Sequence, residues 1–317
     1  MTDRLRMAIV MAFLKVLPTP RLLEGSGASG WMRRACGRTG FDAVWRPLLE
    51  AKFGTAAGEV SMAWLWARIH DRTPRLGYLH GGFQRLYEAL VAAIERHGGK
   101  VIVGAEVTAI VRANDRLAVR WQHGGAEHER MFDRVISTLP PHVTSRLASL
   151  PACESRPGAA PLTAQCLVLS LDRPLTGTYW IGGTDPAWPF TAVIEHTALI
   201  PPAAYGGRHL VYLGSYRSPD HPLLDATPEG LTSLATAQLQ VLNPAFDPSW
   251  IADAWAFVAP NAQPVVDPGY RRRLPGFHTA IPGLFAANMF QIYPHDRGQN
   301  YSILLAERLV DSLERTR

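Results

Sequence analysis

The stretch GYLHGGFQRLYEALVAAIERHGGKVIVGAEVTAI, residues Gly77–Ile110, decides the fold. Apolar residues recur at helical spacing within Phe83–His97, and a glycine pair stands on either side of them, so this segment predicts a helix. The short, continuous apolar run Val101–Val103 predicts a buried parallel strand, and Val107–Val111 predicts the next strand. A helix that leads directly into a buried strand is typical of an α/β sheet.

The region downstream of this stretch adds strands of two kinds. Leu117–Trp121 and Glu127–Phe132 alternate apolar and polar residues around the pair Gly124-Gly125, which predicts an antiparallel hairpin or meander. Val135–Thr138 predicts another buried strand, and the proline pair that follows ends it.

The flanking regions differ in character from this central one. Residues 1–74 show helical periodicity, and their four tryptophans form either a helical core or an apolar surface that binds substrate. Residues 146–274 mix strands with one helix, and residues 275–317 supply a small strand, a polar loop and a closing helix. The elements predicted there are the strands Cys166–Leu171, Thr191–Glu195, His209–Tyr216, Trp255–Val258 and Gly283–Ala287 and the helices Thr227–Leu242 and Gln299–Leu313. This order predicts an α/β (α+β) fold in which a second domain interrupts the first sheet.

Composition and charge exclude several classes of protein. With 47% hydrophobic and 19% charged residues, the chain has ample material for a packed core, so it is neither disordered nor fibrous. Its net charge of +5 is spread along the chain, and the longest basic run is Arg271–Arg273. A nucleic-acid-binding protein concentrates its basic residues on one stripe, so we expect no nucleic-acid partner. Mild basicity suits an anionic ligand or a membrane surface.

Cysteine spacing and hydropathy place the chain in the cytoplasm, with peripheral membrane association as an alternative. Cys36, Cys153 and Cys166 lack the spacing of metal ligands, and an odd number leaves one unpaired, so we expect reduced thiols and no metal. No apolar run approaches the ~20 residues that a transmembrane helix requires.

One glycine motif matches a dinucleotide-binding signature by letter only. Gly25–Gly30 reads G-x-G-x-x-G, a pattern that binds a diphosphate when a strand precedes it and a helix follows. Two prolines and two charges lie in the segment before it, which makes a poor central strand. We therefore interpret this motif as a connection between helices.

Three segments in the correct order resemble the FAD-dependent amine oxidase superfamily, which includes protoporphyrinogen oxidases and phytoene-desaturase-like enzymes. The first is Gly77–Ile110, with its double glycine, helix, second double glycine and strand. The second is FDRVISTLPP, Phe132–Pro141, and the third is IPGLFAANMFQIYPHDRGQNYSILLAERLVDSL, Ile281–Leu313. The resemblance implies an incomplete FAD-binding domain of residues 75–145 and 275–317. It implies a mixed helical and antiparallel-sheet substrate domain of residues 1–74 and 146–274.

The resemblance also implies roles for particular residues in holding FAD. Val107 would offer its backbone to the adenine, and Thr138 would lie near the cofactor at the end of a strand. Asn288 stands where many members carry an acidic residue that faces the diphosphate and ribityl region. The residues implied at the helix start beside the isoalloxazine ring are Arg297, Gly298, Gln299 and Asn300.

The function implied is FAD-dependent oxidation or desaturation of a small-molecule or lipid-like substrate, by hydride transfer to flavin N5. Arg68, His196 and Tyr293 are candidates for substrate contacts, and no residue is assigned as a catalytic acid or base. Two alternatives stay open. One is a flavin-dependent isomerase of the sugar-nucleotide mutase type, and the other is a non-catalytic remnant without bound FAD.

The chain departs from the family at its start. Family members begin with a strand, a G-x-G-x-x-G turn and a helix that bind the ADP half of FAD, and nothing in residues 1–30 matches that unit. We therefore expect an N-terminally truncated form of the enzyme. A separate chain that supplies the missing unit is a further possible partner, and a degenerate relative that has lost FAD is the alternative.

Overall fold

A computed structural model describes residues 3–73, 75, 77–150 and 160–315. The chain divides into two compact units, and each is built from two separate stretches. Unit 1 comprises the described residues of Met1–His70 and Pro157–Tyr270, and unit 2 those of Asp71–Arg156 and Arg271–Arg317. The assignment of one unit to FAD and the other to substrate stays a prediction.

Helices and antiparallel strands make up most of the described chain, as the sequence predicts. In chain order, the helices are α1 (Asp3–Val16), α2 (Ala28–Cys36), α3 (Arg38–Gly40), α4 (Arg46–Phe53), α5 (Met62–His70), α6 (Gln84–Arg96), α7 (Pro141–Leu147), α8 (Pro228–Leu242) and α9 (Gln299–Glu314). The strands are β1 (Glu106–Ala113), β2 (Arg116–His123), β3 (Ala126–Phe132), β4 (Val135–Ser137), β5 (Leu162–Leu171), β6 (Trp180–Gly182), β7 (Ala192–Glu195), β8 (His209–Arg217), β9 (Ile251–Gln263) and β10 (Leu284–Ala286). The strand β6 has no counterpart among the predicted elements.

The sheet of unit 1 has five antiparallel strands in the order β6-β7-β8-β5-β9. Alternate residues of β5 and β8 point to one face, where Leu167, Leu169 and Leu213 are fully buried beside Leu231 and Leu239 of α8. The side chains of a strand alternate between the two faces of the sheet, so one face of β5 and β8 is apolar. This face packs on the apolar face of α8, and the two form the core of unit 1.

The helical part of unit 1 buries two of its tryptophans. Trp64 and Trp66 in α5 are 4% and 3% exposed, and Nε1 of Trp66 donates a hydrogen bond to the Leu17 carbonyl over 3.1 Å. Nε1 of Trp64 is also buried but has no hydrogen-bond partner among the described residues. The burial of both rings and the backbone partner of Trp66 place them in the helical core and not on an open substrate surface.

Unit 2 combines an antiparallel meander with a parallel pair of strands. The meander has the order β1-β2-β3, and both glycines of its Gly124-Gly125 turn have positive φ, as a two-residue hairpin turn requires. β4 and β10 run parallel, with Leu284 opposite Val135 and Ala286 opposite Ser137. The predicted hairpin and the two short strands are confirmed.

The prediction of a buried strand at Val101–Val103 is wrong. These residues form no strand, and their side chains are 39%, 52% and 79% exposed. Ile136 of β4 is also 45% exposed, although a buried strand was predicted there. An apolar run becomes a buried parallel strand only when neighbouring strands and helices cover it, and the described residues pair β4 with β10 alone.

Gly283 sets the register of this parallel pair, and Gly283→Ala is expected to weaken it by about 2 kcal/mol. Its φ is +85°, its carbonyl accepts from the Val135 amide over 2.9 Å, and an added Cβ would lie 3.0 Å from the Asp133 carbonyl oxygen. Hydrogen–deuterium exchange of the peptide that spans β10 measures the effect as faster exchange. Gly276→Ala is the matched control, because nothing lies within 4 Å of a Cβ there. Unchanged exchange in the Gly283 variant would contradict the prediction.

Candidate functional site

A cavity of about 430 Å³ in unit 2 opens where the two parallel strands end. Thr138 follows β4, Asn288 follows β10, and both line this cavity together with Ser302 of α9. The remaining lining is mostly apolar, with Phe290 and Leu305 among it. In open α/β sheets, ligands bind outside the carboxyl ends of parallel strands. The structure thus brings together two of the predicted cofactor residues, 150 positions apart, at the kind of place where ligands bind.

Asn288 is held firmly at this cavity. It is 6% exposed, its Oδ1 accepts from the Phe290 amide over 3.1 Å, and its own amide donates to Oε1 of Gln291 over 2.8 Å. Gln291 in turn donates to the Ala286 and Gly276 carbonyls. Among the described residues, Nδ2 of Asn288 has no hydrogen-bond acceptor. This arrangement offers an uncharged donor to a phosphate or hydroxyl oxygen in the cavity.

The predicted residues Gly298, Gln299 and Asn300 meet at the start of α9, a helix of 16 residues. Gly298 is its N-cap and contributes no side chain, so the amides of the first turn have neither a side-chain cap nor an intrahelical acceptor. Such a helix end favours an anion or a ligand that gains negative charge. The φ of Gly298 is −167°, so the position needs no left-handed freedom, and its missing Cβ leaves room for the Asn300 side chain. The Gln299 side chain donates to the hydroxyl of Tyr87 in α6.

Val107 lies elsewhere in unit 2. It is part of β1, an edge strand of the meander, opposite Trp121, and a register irregularity follows it before Ala109. Its side chain packs on the cluster that contains Leu117 and Leu284. Leu284 lies at the start of β10, and Asn288 follows the end of that strand. Val107 therefore lies near the end of β10 that faces away from the cavity, and it is not among the residues that line the cavity.

The substrate candidates Arg68 and His196 belong to unit 1. The Arg68 guanidinium lies over the Trp64 ring at 5.9 Å. His196 is 7% exposed, its Nε2 is 2.6 Å from the Tyr205 hydroxyl, and burial lowers its pKa. The ring of Tyr212 packs edge-on against it. Both residues are anchored by aromatic neighbours, and their contact with a substrate stays a prediction.

Tyr293, the third substrate candidate, lines a second cavity of unit 2, about 380 Å³ in volume. His295 and Tyr301 line it too, and both bind the Asp71 carboxylate. Oδ2 of Asp71 is 2.6 Å from Nδ1 of His295 and 2.8 Å from the Tyr301 hydroxyl. Sequence reasoning missed the pair Asp71 and His295, because they lie 224 positions apart. His295 belongs to the third segment of the resemblance, Ile281–Leu313, but Asp71 belongs to none of the three.

The side chain of Glu195, the last residue of β7, anchors a loop of unit 1. Its carboxylate is 1% exposed and accepts hydrogen bonds from the backbone amides of Leu175, Thr176 and Gly177 over 2.7–3.0 Å. The Thr176 hydroxyl is a fourth donor at 3.1 Å. A carboxylate that accepts four hydrogen bonds from one segment fixes the conformation of that loop.

The two thiols that the structure describes, those of Cys36 and Cys166, show no structural sign of reactivity. Cys36 is buried and Cys166 partly buried, and burial raises the pKa of both, that of Cys166 to about 11. Cys153 lies outside the described residues.

No group of three or more histidine, cysteine or acidic side chains suited to a metal occurs within the described part of the chain. In the same part, every helix is too short or too polar to cross a membrane.

The G-x-G-x-x-G segment lacks the context that a dinucleotide needs. Pro20–Leu22 form a 3₁₀ turn in place of a strand, and Gly27 is the N-cap of α2. Gly25–Gly27 therefore form a connection, as interpreted, whereas Ala28–Gly30 form the first turn of α2.

A family model described as flavin containing amine oxidoreductase matches residues 2–295. No curated protein sequence matches the chain.

Three solved structures share the fold at low identity. A proposed protoporphyrinogen oxidase from Exiguobacterium sp. 255-15 has a TM-score of 0.73 and 14% identity, over 98% of this chain and 72% of that one. An oxidoreductase from Methanosarcina mazei has a TM-score of 0.66 and 22% identity, over 90% of this chain and 67% of that one. A reduced UDP-galactopyranose mutase has a TM-score of 0.60 and 15% identity, over 84% of this chain and 62% of that one.

Proposed function

Because this chain belongs to the flavin-containing amine oxidoreductase family, we propose that it is an FAD-dependent oxidoreductase that transfers a hydride from an organic substrate to N5 of the flavin. The observation that carries the proposal is the cavity at the ends of β4 and β10, which Thr138 and Asn288 line. It has the position that nucleotide cofactors take in open parallel sheets, and its polar groups are few and fixed.

The residues of unit 2 provide two kinds of contact for such a cofactor. Nδ2 of Asn288 donates to a phosphate or ribityl oxygen without adding charge. The free amides at the start of α9, from Gln299 onward, stabilise negative charge on a ring that receives electrons, because the positive end of a helix dipole lies there. These two contacts favour a bound and reducible flavin, although they do not define the substrate.

Substrate oxidation is tested under anaerobic conditions by the visible spectrum of the protein loaded with FAD together with a separate chain that supplies a strand–GxGxxG–helix unit. Amines, isoprenoids, porphyrin-like rings and glycan-linked lipids are added in turn, and the true substrate is expected to bleach the flavin bands. Each compound is also added to free FAD as a control. Bleaching by none of these classes would count against the proposal.

A mutase-type isomerase is the second candidate, favoured by the fold shared with UDP-galactopyranose mutase. It predicts that a sugar nucleotide is isomerised by the reduced protein with no electron acceptor consumed. The same anaerobic assay separates the two functions, since only oxidation consumes one acceptor per product.

A further inference from the structure

The second cavity of unit 2 holds a hydrogen-bonded group of titratable side chains that the proposed function leaves unused. Asp71 accepts from both His295 and Tyr301 through one carboxylate oxygen. The His295 and Tyr301 rings stack with centroids 4.5 Å apart and planes 16° from parallel. Two independent contacts therefore fix the orientation of the imidazole.

This orientation determines which imidazole nitrogen is available. A carboxylate only accepts, so Nδ1 of His295 must donate to Asp71. In the neutral ring the lone pair then lies on Nε2, which has no partner among the described residues. The His295 side chain is 31% exposed and lines the cavity of about 380 Å³ with Tyr293. An oriented base with an open lone pair beside a cavity is the arrangement that general-base catalysis requires.

We propose that His295 is the proton acceptor of substrate oxidation and that Asp71 is its positioning residue. The inference rests on the proposed function. The proton of a substrate O–H or N–H moves to Nε2, and the electron pair of that bond forms the new C=O or C=N. The adjacent C–H bond breaks, and its hydrogen leaves with its electron pair to a two-electron acceptor of the flavin class. Asp71 stabilises the imidazolium that results.

The first test needs neither flavin nor substrate. Diethylpyrocarbonate acylates an accessible imidazole nitrogen that carries a lone pair, and peptide mass spectrometry gives the rate at each histidine. We expect His295 to react at least as fast as the exposed His97, which serves as the internal reference. Asp71→Asn is expected to slow His295 about tenfold, because an amide that donates to Nδ1 moves the proton to Nε2. Tyr301→Phe, the matched control, removes a hydrogen bond but keeps the carboxylate, and is expected to change the rate less than twofold.

Two outcomes of this test overturn the proposal. One is an unreactive His295 in the unsubstituted protein, and the other is an Asp71→Asn variant with an unchanged rate. Long-range ¹⁵N–¹H spectra of the imidazoles check folding and show which nitrogen carries the proton. Failure here leaves flavin binding and bleaching untouched, so it is distinguishable from failure of the proposed function.

The second test uses a substrate that bleaches the flavin. His295→Ala is expected to lower kcat by 10²–10³-fold at an unchanged KM, and added imidazole is expected to restore part of it through the cavity. If His295 had only a structural role, added imidazole would not raise the kcat of the variant. A kcat that falls and is not restored by imidazole would therefore overturn the role of His295 as proton acceptor.

Discussion

The purified 317-residue chain is expected to hold little or no FAD, so its visible spectrum will lack the flavin bands. The sequence contains no strand–GxGxxG–helix unit for the diphosphate, and the one motif that matches by letter, Gly25–Gly30, follows a 3₁₀ turn. Backbone hydrogen bonds to a diphosphate are charge-assisted and contribute about 2 kcal/mol each. The loss of three such bonds costs about 6 kcal/mol, or about four powers of ten in Kd.

The measurement is the absorption spectrum before and after addition of excess FAD and removal of the unbound fraction. The matched experiment co-expresses a separate chain that carries a strand–GxGxxG–helix unit, and a yellow complex is expected. A yellow protein from the 317-residue chain alone would contradict the prediction and would show that the cavity beside Asn288 suffices for tight binding.

The surface of unit 2 supports the proposal of such a partner. No side chain of α6 is buried. Leu90 and Ile94 on its apolar face and Phe83 at its N-cap are 42–48% exposed. Val101–Val103 add further exposed apolar area. Monomeric proteins rarely leave contiguous apolar patches uncovered, and a parallel pair of strands normally has neighbours. A strand and a helix from the partner would pair with the parallel strands and would cover the exposed apolar side chains.

Glu195→Ala is expected to destabilise unit 1 by about 4 kcal/mol. The substitution leaves the buried Leu175 amide and the partly buried Thr176 and Gly177 amides without their acceptor. An unsatisfied donor costs about 1–3 kcal/mol where it is buried and less where water reaches it. Urea denaturation followed by tryptophan fluorescence measures the effect, because every tryptophan except Trp121 lies in unit 1.

Two companion variants separate the hydrogen bonds from general effects of substitution. Glu195→Gln keeps one acceptor oxygen and is expected to lose roughly half as much stability. Glu59→Ala removes an exposed glutamate of the same unit and is expected to shift the midpoint by no resolvable amount. Equal stability of the Glu195→Ala protein would show that the 175–177 loop does not depend on this carboxylate.

The predicted cofactor residues came from the resemblance to the family. Val107, Thr138 and Asn288 were all implied by it, and the structure places Thr138 and Asn288 at one cavity and Val107 outside that cavity. The carboxyl ends of parallel strands meet at one edge, which is the physical reason that Thr138 and Asn288 lie together. The helix start beside Gly298 could be predicted from the residues themselves, because a strand, a polar loop and a helix present unpaired backbone amides at one point.

Sequence by itself determined most of the elements and the family, and tertiary structure alone decided what those elements bury and bind. Helical period, strand alternation and glycine pairs are local, so α6 and the β2–β3 hairpin could be predicted from their own residues. The exposure of Val101–Val103 and the bonding of Asp71 to His295 could not be predicted in this way. Burial and side-chain pairing depend on segments that are distant in sequence, and only the folded chain determines which of them meet.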